Sequence, residues 1–261
     1  MKVVAITGAS SGIGRETAKH FAAKGWKVYN LSRRPSGEAD INDIAADVTI
    51  EEEIKKAFAQ IRSESGRLDL LVNNAGFGIS GAVEFTELSD ARDQFDVNFF
   101  GTFNCIKAAL PMLKESQGRI ICMSSAAAIF AIPFQSFYSA TKAAINILVS
   151  ALATELKPFK VSVCALQLGD VKTGFTAARV KSYAGDDVYC GAIGRSVAVM
   201  EKDEQSGMPP KKIAAVIYKT AHKRKVKPIY TVGIQYQLLA FLNKLLPHSL
   251  VNYVIRKMYI K

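Results

Sequence analysis

The stretch KVVAITGASSGIG, residues 2–14, limits the possible fold more than any other part of the chain. A β-branched run ends at Gly8, and glycines recur at 12 and 14. From Ile13 to about Lys24 the apolar spacing turns helical, and Gly25 stops it. The pattern is a strand, a tight turn and a helix. Glycines there let the backbone approach a ligand closely. The helix behind offers unpaired N–H groups and a positive dipole end to a phosphate. Gly8, Ser10, Ser11, Gly12, Ile13 and Gly14 are the candidate contacts. The spacing is not the usual G-x-G-x-x-G, and a glycine turn with no ligand would look the same in isolation.

The same alternation runs along the chain. WKVYNL (26–31), LDLLVNN (68–74), GRIICMSS (118–125) and KVSVCALQ (160–167) predict strands. Thr49 before EEE predicts a capped, acidic helix start, continued by KKAFAQI. Residues 91–113, with Pro111 near the end, and 136–156 predict two further helices. Parallel strands need crossover helices on both faces, so this order predicts a doubly wound α/β sheet. With 261 residues, 49% hydrophobic, and no composition break or repeat, a single domain is expected.

Composition excludes several classes. Cys105, Cys122, Cys164 and Cys190 form no Cys-x-x-Cys pair, and three sit among apolar neighbours. They read as reduced core thiols, which suits a cytoplasmic location. His20, His222 and His248 lack ligand spacing, so no metal is expected. The N-terminus lacks a signal-peptide pattern, and no run reaches the roughly 20 apolar residues of a membrane span. The net charge of +11 suits an anionic cofactor, substrate or surface without choosing among them. The basic run HKRKVK (222–227) has no interleaved aromatics, so nucleic acid is not an expected partner.

The end of the second strand discriminates between dinucleotides. NAD sites place a carboxylate there for the ribose 2′-hydroxyl. Here the residues are NLSRR, with Ser32, Arg33 and Arg34 available to a 2′-phosphate and Arg15 as a helper. NADP(H) is therefore the expected cofactor, a solvated basic loop being the alternative. Asp47, after a short strand, is the expected acceptor for the adenine amino group.

YSATK (138–142) puts Tyr138 four residues before Lys142, on one helical face. A free tyrosine titrates near pH 10. A neighbouring ammonium favours the phenolate, so the pair predicts a lowered tyrosine pKa and a general acid or base for alcohol/ketone exchange. Most such pairs are ordinary helix surface. Ser125 strengthens the reading because it ends a strand at the carboxyl edge, where such sheets bind ligands. Ser124 is the neighbouring alternative.

Together TGASSGIG, ADVT, DLLVNNAG, FDVNFFGT, ICMSS and YSATK resemble the short-chain dehydrogenase/reductase family over roughly the first 175 residues. The resemblance implies a Rossmann-type fold with a seven-stranded parallel sheet flanked by helices, and a catalytic tetrad of Asn98, Ser125, Tyr138 and Lys142. Asn98 would bend its helix and anchor a water leading to Lys142. Asn74 would brace the sheet and line the cofactor site with Val48, Ala75 and Gly76. The family's Pro-Gly after the sixth strand is Leu168-Gly169 here, which predicts a looser turn. Gly169, Val171 and Thr173 keep their cofactor contacts in this analogy.

The resemblance also implies a domain over residues 1–232, with a substrate flap at 175–210. Later motifs are similar to a branch containing hydroxysteroid, retinol and acyl-dihydroxyacetone-phosphate reductases, which implies an apolar substrate. Phe77, Ile79, Phe130, Phe134, Phe175 and Tyr183 are candidate pocket residues. Dimers or tetramers are implied through the helices bearing Asn98 and Tyr138.

Residues 233–261 have helical apolar spacing broken by Pro247. They predict an amphipathic helical extension that packs on the body or a second subunit. Peripheral contact with an anionic membrane, helped by HKRKVK, is the alternative. The expected function is NADP(H)-dependent interconversion of a carbonyl and an alcohol. A non-catalytic dinucleotide sensor, a membrane-associated scaffold and an NAD-linked alcohol dehydrogenase are the rivals.

Overall fold

Strand β1 (Val3–Thr7) is buried at every residue, as a central parallel strand must be when helices cover both faces. In the computed structural model, which describes residues 1–260, the chain continues through α1 (Gly12–Ala22), β2 (Lys27–Ser32), β3 (Ile41–Ala45), α2 (Glu51–Ser65) and β4 (Leu70–Asn73). The next elements are β5 (Ile79–Ser80), α3 (Leu88–Phe95), α4 (Gly101–Ser116), β6 (Arg119–Ser125), α5 (Ser136–Glu155) and β7 (Ser162–Leu168). The last are α6 (Phe175–Ala178), β8 (Val180–Lys181), α7 (Ala192–Gln205), α8 (Pro210–Ala221), β9 (Ile229–Val232), α9 (Ile234–Leu245) and α10 (His248–Tyr259). Lys261 of the expected extension lies outside the described residues.

Seven strands form one parallel sheet in the order β3-β2-β1-β4-β6-β7-β9. One apolar core packs α2, α4 and α5 on one face through residues such as Phe58, Leu113 and Val149. On the other face Phe21, Trp26 and Ile217 pack around α1 and α8. Strand order reverses between β1 and β4, which opens a crevice at the carboxyl edge of the sheet.

Two local expectations need correction. The helix expected over 91–113 runs from Leu88 to Ser116 and is interrupted by a π turn at Asp96–Phe100. Asn98 sits in that turn. Its amide bonds the Phe77 backbone both ways, at 3.0 Å and 3.0 Å, and donates to Thr141 Oγ1 at 3.2 Å. The inserted residue pulls one side chain out of register to meet those partners. Thr49 is not the cap of α2; Ile50 holds that position without a side-chain cap. Asp47 accepts both the Thr49 amide and hydroxyl, and Glu53 reaches back to the Asp47 N–H at 2.7 Å. The threonine is thus engaged by the preceding loop.

Candidate active site

The glycine loop has the backbone its sequence requires. Gly8 and Gly12 have φ of 69° and 54°, values that side chains disfavour. Gly14 lies behind the loop: a Cβ there would meet Gly8 O at 2.4 Å. It acts by letting α1 approach β1, and does not line the crevice. Asn74 ties the loop down by donating to Thr7 O and Gly8 O at 3.0 and 3.2 Å. Ser11, the residue before α1, makes no side-chain cap, so the helix's first N–H groups remain free to meet a phosphate. Ser10, Gly12 and Ile13 line the crevice beside them.

At the end of β2, Ser32 Oγ donates to Arg34 O at 2.5 Å and fixes the turn that presents both arginines. Arg33 is highly exposed, its Nη1 3.7 Å from Asp47 Oδ2. Arg15, the expected helper, instead pairs with Glu38 at 2.8 Å, a partner that sequence spacing did not reveal. Asp47 has Oδ1 committed to Thr49, while Oδ2 faces the Arg33 guanidinium at the crevice wall. Val48, Ala75, Gly76, Gly169, Val171 and Thr173 line the same crevice.

The catalytic candidates converge beyond it. Ser125 ends β6 and accepts the Ala127 N–H at 3.1 Å. Its hydroxyl also faces the Tyr138 phenol and partly offsets the rise in that group's pKa. Ser124 is buried, with its hydroxyl 3.4 Å from Lys142 O. Lys142 is buried, donates to Met123 O at 3.0 Å, and lies 5.6 Å from the centre of the Tyr138 ring. Asn98 stands behind Gly76, where a Cβ would meet its Oδ1 at 2.9 Å.

The electrostatics correct one expectation. The Tyr138 pKa is pushed up to about 12, chiefly by burial, and Lys142 is not among the groups that pull it down. Burial lowers Lys142 to about 8. In the protein alone, therefore, low dielectric outweighs the attraction between the pair. The phenol is neutral at pH 7, the form that donates a proton.

The turn after β7 is not loose. Leu168 is buried in the sheet, paired with Ser125 and Val232. Val171 bridges Met208, with bonds from Met208 N to Asp170 O at 2.9 Å and Lys172 N to Met208 O at 3.0 Å. Tyr236 of α9 accepts the Asp170 N–H at 3.1 Å and donates to Asp170 Oδ2 at 2.5 Å. These contacts hold the turn that proline would otherwise stiffen.

Cofactor crevice and substrate half form one cleft of about 1730 Å³. Phe77, Phe130 and Phe175 line it as expected. Ile79 is paired into β5, Phe134 meets Tyr189 edge-on with ring centres 5.5 Å apart, and Tyr183 is exposed, so these three leave the pocket. The missed wall comes from the C-terminal helices, including Leu239, Leu242, Val254 and Met258. Only their helical apolar spacing was legible beforehand. Asp170, Asp203 and Glu204 add carboxylates to the same space. Glu204 is held by Thr176 and the buried guanidinium of Arg179.

Among the described residues, no cluster of His, Cys, Asp and Glu could hold a metal, and no helix is long and apolar enough to cross a membrane. Cys105, Cys122 and Cys164 are buried free thiols, while Cys190 is exposed. The run at 222–227 precedes β9 and is tied to the first residue of β6, whose guanidinium donates to Thr220 O and Lys223 O. It sits at the amino edge of the sheet, away from α9, and cannot assist the C-terminal helices as expected.

The family model described as short chain dehydrogenase matches residues 2–184. A 3-ketodihydrosphingosine reductase from Bacteroides thetaiotaomicron is 40% identical over 99% of this chain and 98% of its own. A short-chain dehydrogenase from Streptomyces avermitilis has a similar crystal structure, with a TM-score of 0.83 at 30% identity, covering 94% of this chain and 93% of that one. A 3-ketoacyl-(acyl-carrier-protein) reductase from Brucella melitensis, solved with NADH, gives a TM-score of 0.74 at 25% identity over 88% of this chain and 96% of that one.

Proposed function

The chain belongs to the short-chain dehydrogenase/reductase family, an oxidoreductase family that uses nicotinamide dinucleotides, and on that premise we propose that it reduces a long-chain ketone with NADPH. One observation carries this reading. Ser125, Tyr138 and Lys142 meet where the glycine-loop crevice opens into a cleft walled largely by apolar side chains.

A nicotinamide dinucleotide would be held along Ser10, Gly12, Ile13 and Thr173 and would supply the hydride for the carbonyl carbon. Ser125 holds the carbonyl oxygen beside the phenol and stabilises charge developing on it. Tyr138, neutral at pH 7, donates its proton to that oxygen. Lys142 restores the proton, and Asn98, in the π turn, holds the Phe77 backbone next to Gly76, on the side where Lys142 lies.

Ser32, Arg33 and Arg34 support the preference for NADPH, because two guanidinium groups would meet a 2′-phosphate and no carboxylate ends β2. NADH is the competing outcome. Residues 175–210 serve as the flap, and helices α9 and α10 close the far side of the cleft.

The Bacteroides relative suggests the substrate class. A 3-ketodihydrosphingosine is a long-chain ketone with an adjacent ammonium. Apolar side chains of α9 and α10 suit its chain. Asp170 and Glu204, close enough to the phenol to raise its pKa, suit its cation. Phe100, Phe103 and Ile147 are exposed on the Asn98 and Tyr138 helices, which supports assembly through them.

The test is a panel of short aliphatic, steroidal and long-chain amino ketones, followed by loss of reduced-nicotinamide absorbance with NADPH or NADH. The highest kcat/KM is expected for the amino ketone with NADPH. Absence of turnover across the panel would falsify the enzymatic reading.

A further inference from the structure

Helices α9 and α10 each present two apolar faces. One faces the cleft, through side chains such as Leu239, Leu242 and Val254. The other faces outward. Ile234, Leu238, Phe241 and Leu245 follow one another at spacings of three and four along α9, and none of them lines the cleft. Their exposures run from 57% to 85%. Leu250 and Tyr253 continue the exposed apolar surface on α10, at 44% and 56%. Helix α9 has no buried residue at all, and α10 has only Ile255. Short helices depend on burying a face for stability, so these outer faces lack a partner.

Charge indicates the partner. No acidic residue follows Glu204, and residues 205–261 carry eleven basic ones, equal to the whole net charge of +11. Part of that charge, the 222–227 run, lies at the opposite edge of the sheet. Lys244, Arg256 and Lys257 lie on α9 and α10 themselves and are exposed, with no carboxylate in either helix. In a symmetric pairing of two copies through this face, each patch would meet itself, cation against cation. An anionic lipid surface answers both properties at once: acyl chains accept the apolar stripe, and phosphates accept the cations.

We propose that the outer faces of α9 and α10 dock the protein on an anionic bilayer, so that the substrate half of the cleft lies directly behind the docked surface. An apolar ketone dissolved in lipid would then reach the cleft past these helices without crossing water. The docking rests on exposure and charge and does not depend on which ketone is reduced.

The experiment is flotation of the full chain with vesicles of phosphatidylcholine alone or with phosphatidylglycerol, at low and high salt. Wild-type protein should float with the anionic vesicles, less with neutral ones, and less in high salt. The variant Leu238→Gln/Phe241→Gln/Leu245→Gln should lose at least about tenfold in the vesicle-bound fraction. It should retain turnover of a short, water-soluble ketone, because these side chains do not line the cleft. Lys244→Glu/Arg256→Glu/Lys257→Glu should remove the anionic preference. Wild-type protein left at the bottom of the gradient overturns the proposal. So does a solution mass that halves only in the apolar triple variant, since a second copy would then cover this face.

Discussion

The Tyr236 ring occupies the space that any side chain on Gly169 would need: a Cβ there would lie 1.8 Å from the ring's Cε2. The phenol of the same residue bonds Asp170 through both backbone and carboxylate. The first residue pair after β7 is therefore clamped by the C-terminal helices, which also wall the cleft.

Gly169→Ala is expected to displace α9 and lower the melting temperature, at about 1–3 kcal/mol for an overpacked site. Tyr236→Ala alone should also destabilise, by removing the clamp. The two losses should not add in the double variant, with a coupling of about 0.5 kcal/mol or more. Additive losses in thermal melts would mean that the ring and the turn do not touch.

Tyr138→Phe removes the proton donor and leaves the aromatic contact with Phe175, whose ring centre is 5.7 Å away. Turnover should fall by about 10²–10⁴-fold. Cofactor affinity, read by quenching of intrinsic fluorescence, should stay within about twofold of wild type, because the phenol is not a phosphate contact. An active variant would remove Tyr138 from the chemistry.

Arg33→Ala/Arg34→Ala should raise the Kd for NADPH by about 10- to 100-fold, as expected when charged hydrogen bonds to a phosphate are lost. The Kd for NADH should barely move. Equal losses for both cofactors would show that the arginines do not read the 2′-position.

Lys142→Met should abolish turnover yet raise the melting temperature at pH 7. The folded-state pKa of Lys142, about 8, lies below its ordinary value of 10.5. The folded protein therefore carries a desolvation penalty that is full below about pH 8 and fades as pH rises toward 10.5. The melting-temperature difference between variant and wild type should shrink across that window. Above about pH 9 a second effect lowers both curves alike, because the buried thiols of Cys122 and Cys164, raised from 9.0 to about 11 and 12, resist the ionisation that unfolding allows. A difference that grows with pH would contradict a buried ammonium.

Much of the site was readable because its parts are local. The glycine loop, the strand-end serine and the Tyr138–Lys142 spacing each need only one element and its boundary. The break at Asn98 was not readable from helical spacing, because a π turn is stabilised by Phe77 and Thr141, which are remote in the sequence. The pairing of Arg15 with Glu38 and the removal of Ile79 and Phe134 from the pocket have the same origin. Glu38, Val180 and Tyr189, each distant along the chain, decided where Arg15, Ile79 and Phe134 went, while Tyr183 was left exposed.

Sequence by itself determined the alternation of strands and helices, the glycine turn before α1 and the placing of Tyr138 and Lys142 on one helical face, since period and turn chemistry act over a few positions. Tertiary structure decided that burial holds the Tyr138 phenol protonated beside Lys142, which turn is clamped and what walls the cleft. Dielectric and packing depend on everything within a few ångströms, and most of that comes from elsewhere in the chain.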